Sequence, residues 1–287
     1  MIQNNKSLQI SIVIPVYNEA DELDSCLRAI ANQSVRPFEV IVIDNNSTDN
    51  SVAIAQRYQF VTVISEPRQG AIHARNAGFN AASGDIIGRI DADTRVADDW
   101  VVTLQTIFTD YAVDAVSGSV SYHDLPWRKF LTRLDHGFRQ WIANGMKREV
   151  FLFGSNMALR RTAWDNVKNT VCNRGGMHED FDLAIHLHDY TDGVRFDDRL
   201  HADVSLRRFN TALTDYWSYV WMSPRTYSQH GRTSQTRMYP VIWAVILSYF
   251  VINLLYKSYN PADKSVALKN LWLPRAPIRV DPTSFVD

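Results

Sequence analysis

Hydrophobic residues near the start of this chain come in short, dense runs with helically spaced stretches between them. Residues 10–17 are almost unbroken apolar, the pattern of a parallel strand buried on both faces. Residues 38–44, 61–64 and 86–90 repeat that pattern. Behind Asn18, which can cap a helix, Leu23, Leu27 and Ile30 recur at helical spacing and predict a helix over 19–33. The cluster Asp44-Asn45-Asn46-Ser47-Thr48-Asp49 is turn and cap chemistry ahead of a helix through Ile54, Ala55 and Tyr58. Arg68-Gln69-Gly70 opens a further helix that carries Arg75 and Asn76 and stops near Gly84. Strand and helix alternate, which predicts an α/β fold with a parallel, doubly wound sheet.

After Trp100 the alternation loosens. A helix through Leu104, Ile107 and Phe108 precedes a strand at 115–121. Residues 127–146 place Trp127, Phe130, Leu131, Leu134, Phe138, Trp141 and Ile142 on one helical stripe, expected to pack onto the domain. Arg128, Lys129, Arg133 and Arg139 take its other positions, and Lys147 and Arg148 follow. Next come an apolar segment around Gly154, a Gly175-Gly176 loop and a helix starting at His178-Glu179-Asp180. Short strands near 194–196 and 202–206 end in Arg207-Arg208; neighbours on a strand face opposite ways, so one of the two is expected to point inward. From Tyr216 the chain reads as helical and aromatic, with an apolar run at 241–256.

Composition narrows the class. The 287 residues are 46% hydrophobic and 21% charged, a globular chain long enough for one large domain or two fused ones. A net charge of −1 offers no global basic field for nucleic acid. Cys26 and Cys172 are too few and too far apart for a disulfide framework or a cysteine-based metal site, and they fit a reducing compartment. The polar start leads directly into a strand, so no secretory signal is expected. Charge is uneven, however. From Arg225 onward 8 Lys and Arg face 3 Asp, a net +5 against −6 for the preceding residues. A helix over 241–256 would reach about 24 Å, short of the roughly 30 Å hydrocarbon core. This basic, apolar tail is therefore expected to rest on an anionic membrane surface, with a second subunit or the core as the other takers.

The chemistry centres on residues 84–93. Ile86, Ile87 and Ile90 make a buried strand, and Asp91 and Asp93 fall where it leaves the core. In an open α/β sheet ligands bind beyond the carboxyl ends of the strands. Two carboxylates one residue apart there suit a hard divalent cation that keeps positions open for phosphate oxygens.

With residues 12–19, the Asp44–Asp49 cluster, Arg75-Asn76-Ala77-Gly78, Asp91-Ala92-Asp93 and Glu179-Asp180 in this order, the chain resembles the family 2 glycosyltransferases over roughly 10–210. That resemblance implies a GT-A fold: a Rossmann-like, mostly parallel central sheet flanked by helices, here with a helical C-terminal extension. It implies a nucleotide-sugar half at 1–98, an acceptor and catalytic half at 99–212, and a basic helical region at 213–287. It also implies inverting transfer of a hexosyl or hexosaminyl group from a UDP- or GDP-linked sugar to a glycan or lipid-linked acceptor, with Mn²⁺ or Mg²⁺. Building cell-envelope polysaccharide on the inner face of a cytoplasmic membrane would suit such an enzyme, and a homodimer is left open.

Residue by residue, the resemblance puts Pro15, Tyr17 and Glu19 around the nucleoside, Asp44 on the base, Arg75 beside the nucleotide and Asp91 near the ribose. Asp93 would bind the metal, with His201 as a candidate third ligand. Asp180 matches the general base that takes the acceptor hydroxyl's proton, with Asp182 as its fallback and Glu179 orienting it. Gly154, Ser155 and Asn156 would lie between donor and acceptor, and Arg207 or Arg208 would close over the diphosphate. His186 and His188, two apart on a helix, share no face and are no metal pair. Two other classes compete. A sugar-nucleotidyltransferase would want a Gly-rich basic loop after the first strand, where this chain has the acidic 16–21. A non-catalytic sugar-nucleotide-binding protein would have no need of Asp91, Asp93 and Asp180 together.

Overall fold

The computed structural model describes residues 7–125, 128–146, 151–232, 235–260 and 263–272, with backbone alone for 128, 129, 138, 141–146, 235 and 237. Trp127, Lys147, Arg148 and the segment from 273 onward lie outside the described residues, as do the side chains of Phe138, Trp141, Ile142, Arg128 and Lys129.

The first half runs β1 (Ile10–Val16), α1 (Leu23–Ala31), β2 (Glu39–Asp44), α2 (Ser51–Ala55), β3 (Val61–Ser65), α3 (Ala71–Ala81) and β4 (Ile86–Arg89). The second half runs β5 (Arg95–Val96), α4 (Trp100–Ile107), β6 (Ala115–Tyr122), α5 (Arg128–Met146), β7 (Met157–Arg160), α6 (Arg161–Val167), α7 (Glu179–Tyr190) and β8 (Val194–Val204). A 3₁₀ turn (Arg207–Asn210) leads to α8 (Leu213–Gln229) and α9 (Gln235–Ser258); a small hairpin, β9 (Tyr259–Asn260) and β10 (Ser265–Val266), follows.

Successive residues of β1 enter two different cores. Ile10, Ile12, Ile14 and Val16 pack with Leu23, Leu27 and Ile30 of α1 and with Trp100 and Leu104 of α4. Val13 points the other way, onto Ala74 and Phe79 of α3, Trp164 of α6 and Leu183 and Leu187 of α7. That two-sided burial is what a continuous apolar strand encodes. The result is one sheet in the order β3-β2-β1-β4-β7-β6-β8-β5, continuous across residue 98.

The sheet is not wholly parallel. β1, β2, β3 and β4 pair in parallel as expected, and β6 pairs in parallel with β8. β7, however, lies antiparallel between β4 and β6, and β5 is antiparallel to β8. The expected strands at 194–196 and 202–206 are one strand with an irregularity, where the register jumps from Asp197 opposite Gly118 to His201 opposite Ser119. Asn18 is not a helix cap. It sits at φ 53°, a conformation Asn tolerates, and α1 starts only at Leu23.

Of the described side chains on the α5 stripe, Leu131 packs inward beside Leu125 and Leu206. Phe130 and Leu134 are exposed, while Asp135 accepts the Tyr122 hydroxyl at 2.7 Å and Arg139 at 2.5 Å. The Arg139 guanidinium lies 3.9 Å from the centre of the Phe153 ring. The ion pair brings a polar face inward against the end of β6.

Gly78 lets α3 lie close to the sheet, because a Cβ there would meet Val13 Cγ1 at 2.3 Å and Ile43 Cγ1 at 3.0 Å. Both neighbours are β-branched and stiff, so neither can swing aside. Gly78→Ala should therefore destabilise the fold by about 1–3 kcal/mol, outweighing a helix-propensity gain of about 1 kcal/mol. A lower urea midpoint at unchanged slope is the expected reading.

Candidate active site

Parallel pairing brings the ends of β1, β2 and β4 to one edge of the sheet, and two loops there are latched together. Ser47 Oγ accepts the Asn18 N–H, Asn18 Oδ1 accepts the Thr48 N–H, Ser51 Oγ accepts the Glu19 N–H and Asp49 accepts the Ala20 N–H. The cluster after β2 thus holds the Tyr17–Ala20 turn in place. Asn45 braces the approach to α3, donating to the Glu66 and Arg68 carbonyls and accepting the Gly70 N–H. Pro15, Tyr17, Glu19, Asn45 and Asp91 line the small cleft so formed.

Beside it opens a larger cleft of about 250 Å³, lined by Asp91, Asp93, Gly154, Ser155, Glu179, Asp180 and Arg208 among others. Its floor consists of acids held by two buried guanidiniums. Arg89, the last residue of β4, donates to Asp91 at 3.0 Å and to Glu179 at 2.8 Å. Arg207 reaches Asp93 at 3.1 Å and also bonds Glu19. Glu19, Asp93, Arg89 and Arg207 are all buried. Ion pairs this enclosed are costly to break, because the survivor is left as a buried, uncompensated charge.

Asp180 stands in the wall of this cleft at the first turn of α7. Its two oxygens accept the Gly154 N–H at 3.1 Å and the Phe181 N–H at 2.9 Å. Burial, reinforced by the neighbouring Glu179 carboxylate, pushes its pKa up to about 7; Arg89 and the Gly154 N–H pull the other way. Gly154 leaves room here for the Arg89 guanidinium. A Cβ on it would fall 1.0 Å from Arg89 Nη1.

Several expected site residues have other occupations. Arg75 is wholly buried and donates to the Glu179 carbonyl and to Asn76, so it anchors the start of α7 instead of facing a nucleotide. Asn156 is also wholly buried. Its amide bonds the Ser119 and Leu200 carbonyls and the Trp100 indole, which makes it a cross-strand brace and not an acceptor contact. Ser155 lines the cleft and its carbonyl accepts from Thr94. Asp44 ends β2 opposite Val16 and accepts the Ser47 N–H. Asp182 is fully buried, outside the cleft lining, and cannot serve as fallback base.

His201 is not among the residues that line the cleft with Asp93. Its ring nitrogens lie 2.9 Å from Ser119 Oγ and 3.3 Å from Ser121 Oγ. The His123 imidazole lies 3.3 Å from the Asp93 carbonyl oxygen. Arg207 and Arg208 sit in a 3₁₀ turn, not on a strand, so both are used: Arg207 runs under the cleft, and Arg208 lines it with its guanidinium 3.8 Å from the Tyr219 ring. Arg89 and Gly154's service to it were missed, although a lone arginine at the end of a buried strand, just before two acids, is an unusual pattern.

Known proteins share this fold. A mannosyltransferase from Pyrobaculum calidifontis, solved with GDP-Man and Mn²⁺, superposes with a TM-score of 0.63 at 17% identity, covering 93% of this chain and 78% of that one. The glycosyltransferase AglE of Haloferax volcanii is 32% identical over 120 residues, 39% of this chain and 40% of the relative. The undecaprenyl-phosphate 4-deoxy-4-formamido-L-arabinose transferase of Yersinia enterocolitica is 31% identical over 145 residues, 47% of this chain and 44% of the relative. The chain thus matches less than half the length of these curated relatives. The sheet and its structural neighbour define a GT-A fold. The sequence model of Glycosyl transferase family 2 matches residues 11–168, and the chain belongs to that family.

An arginine tip ordinarily swings away from a new methyl group, but Arg89 is tied to two acids. Gly154→Ala should therefore displace Arg89 from Glu179 and misplace Asp180, lowering turnover about 100-fold together with the melting temperature. Unchanged turnover and melting would show that Arg89 is not the constraint.

Proposed function

We propose that this glycosyltransferase is inverting, takes a UDP- or GDP-linked sugar, and uses Asp180 as general base toward an acceptor hydroxyl. The observation that carries the reading is the carboxylate of Asp180, aimed into the cleft by two backbone N–H groups on the side facing Asp91 and Asp93. A base near neutral pKa is well matched to proton abstraction at physiological pH. Pro15, Tyr17 and Glu19 would hold the nucleoside, with Asp44 at the base and Asp91 near the ribose. Arg208 would meet the diphosphate, where positive charge stabilises the leaving group as it develops. Glu179, neutralised by Arg89, orients Asp180.

The carboxylates fit a divalent cation. Glu19, Asp91 and Asp93 offer only hard oxygens, the donor type of Mg²⁺ and Mn²⁺, and Arg207 already places positive charge between Glu19 and Asp93. Asp93 and Asp91 would hold the ion, which supplies charge neutralisation at the diphosphate when bound.

For the acceptor, we favour a lipid-linked glycan at a membrane surface. A second, apolar cavity of about 210 Å³ adjoins Asp180 and is lined by Phe153, Phe181, Tyr216, Val241, Ile242 and Val245. On the outer face of α9, Trp243, Leu247, Phe250, Val251 and Leu254 are exposed. An apolar face of this kind marks a protein or membrane contact, and the net positive charge beyond Arg225 favours anionic lipid. The Yersinia relative is named for undecaprenyl phosphate. A second copy of the chain is the competing cover for that face.

Calorimetric titration with UDP and with GDP, each with and without Mn²⁺, tests the donor site. Wild type should bind one nucleotide in a Mn²⁺-dependent way and Asp93→Ala should not. Asp180→Asn should bind it normally while losing about 10²–10⁴-fold in turnover; retained turnover would remove Asp180 from the chemistry. For the membrane face, Leu247→Glu with Phe250→Ser should abolish co-sedimentation with anionic liposomes. A wild-type chain that stays in the supernatant as a dimer would instead assign that face to a second copy.

A further inference from the structure

Asp180 and Asp182 are two apart on α7, so they point about 200° from each other. The first faces the cleft, whereas the second is buried on the opposite side in a cluster the transfer reaction does not use. There Cys172, Asp182, His186 and His230 bring one ligand atom each within 4.8 Å of all the others. His230 Nε2 lies 2.9 Å from Asp182 Oδ1 and 3.8 Å from Cys172 Sγ, and His186 Nε2 lies 3.5 Å from the same Asp182 oxygen. The ligand atoms of a tetrahedral zinc site are separated by about 3.3–3.8 Å, so small adjustments would close these four around one ion.

A second observation points the same way. His186 Nε2 is enclosed, and its contact with Asp182 Oδ1 at 3.5 Å is too long to make a good hydrogen bond. A buried polar atom so poorly satisfied calls for an explanation; here the atom is aimed at the cluster. Asp182 and His186 are i and i+4 on α7 and share a face. His188, two residues on, does not, and the partner of His186 is His230 at the end of α8.

We propose that Cys172, Asp182, His186 and His230 form a structural zinc-class metal site, separate from the carboxylates at Asp91 and Asp93. One thiolate and two imidazoles select a borderline-soft ion over Mg²⁺ or Mn²⁺, and four protein ligands leave no open position for catalysis. Coordination sends the thiol proton to solvent; thiolate and carboxylate then balance the dication. The nearby Arg75, itself engaged by the Glu179 carbonyl, and Arg174 beside Cys172 are charges that oppose it. The ligands come from the loop after α6, from α7 and from the end of α8. An ion there would pin the Gly175-Gly176 loop and the first turn of α7 to the C-terminal helices. All four ligands lie beyond residue 168, where the family match ends.

The test is metal binding by the whole purified chain. Zn²⁺ should be retained at one per chain through dialysis, and Co²⁺ substitution should give tetrahedral visible bands with a near-ultraviolet thiolate charge-transfer band. Cys172→Ser, the mildest change, should lose the charge-transfer band and weaken zinc affinity at least tenfold. His186→Gln should weaken zinc affinity in the same way. Asp93→Ala should leave stoichiometry and spectrum intact. The proposal is overturned if folded wild type retains no zinc and shows no thiolate–cobalt band. It is equally overturned if the bound zinc disappears with Asp93→Ala and survives Cys172→Ser.

Discussion

Burying a guanidinium at the end of a central strand would cost several kcal/mol if nothing answered its charge. Arg89 is 5% exposed and is answered twice, by Asp91 in the next turn of its own strand segment and by Glu179 from α7, 90 residues on. Much of the cleft follows from this one side chain. Because Arg89 must reach Glu179, the first turn of α7 is drawn against the strand end, and Arg75 secures the same turn through the Glu179 carbonyl. Because the guanidinium passes close to residue 154, that residue has to be glycine, and the Gly154 N–H is then free to bond Asp180. Arg207 repeats the device one strand over, between Glu19 and Asp93. The acids that a nucleotide and its cation would meet are thereby held in place by positive charge before any ligand arrives. Such preorganisation costs stability relative to an apolar edge, and it is a reasonable expense only at a working site.

How much of this was legible in the sequence depended on how local the cause was. β1 to β4 and the helices between them follow from period and turn chemistry within a few residues; the strands formed where expected, while α1 starts four residues late and α2 stops at Ala55, short of Tyr58. Asp91, Asp93 and Asp180 could be singled out because each sits at an element end whose position the pattern fixes. The antiparallel β7 could not be read, since a four-residue apolar run carries no direction and its partners β4 and β6 are distant in sequence. Nor could the polar part of α5's inward face, where the Asp135–Arg139 pair packs against Tyr122, inward like Leu131, while Phe130 and Leu134 stay exposed. Arg75 and Asn156 matched expected positions but not the expected work. Both are buried by contacts with residues 37 to 104 positions away, and no local pattern distinguishes a ligand contact from such a brace.

The same reasoning bears on α9. In isolation its apolar stretch, Met238–Ser258, is 21 residues long with a mean hydropathy of 1.9. At 1.5 Å per residue that is about 32 Å, enough to cross a bilayer, so the shorter reach expected from 241–256 alone no longer argues against a span. Packing does. Val241, Ile242, Ile246 and Tyr249 are buried with Phe151, Ile185 and residues of α8 in a core of their own. Tyr249 donates to the Thr211 carbonyl, which ties the helix to the turn following Arg208. Val241, Ile242 and Val245 also wall the apolar cavity beside Asp180. A helix that left the domain to stand across a membrane would strip that wall and uncover the core beneath it. Lying along a surface, it keeps the inner face packed and offers only the outer one to lipid. On that geometry an acceptor held in the membrane plane would enter beside α9 and meet Asp180 with its lipid portion still shielded.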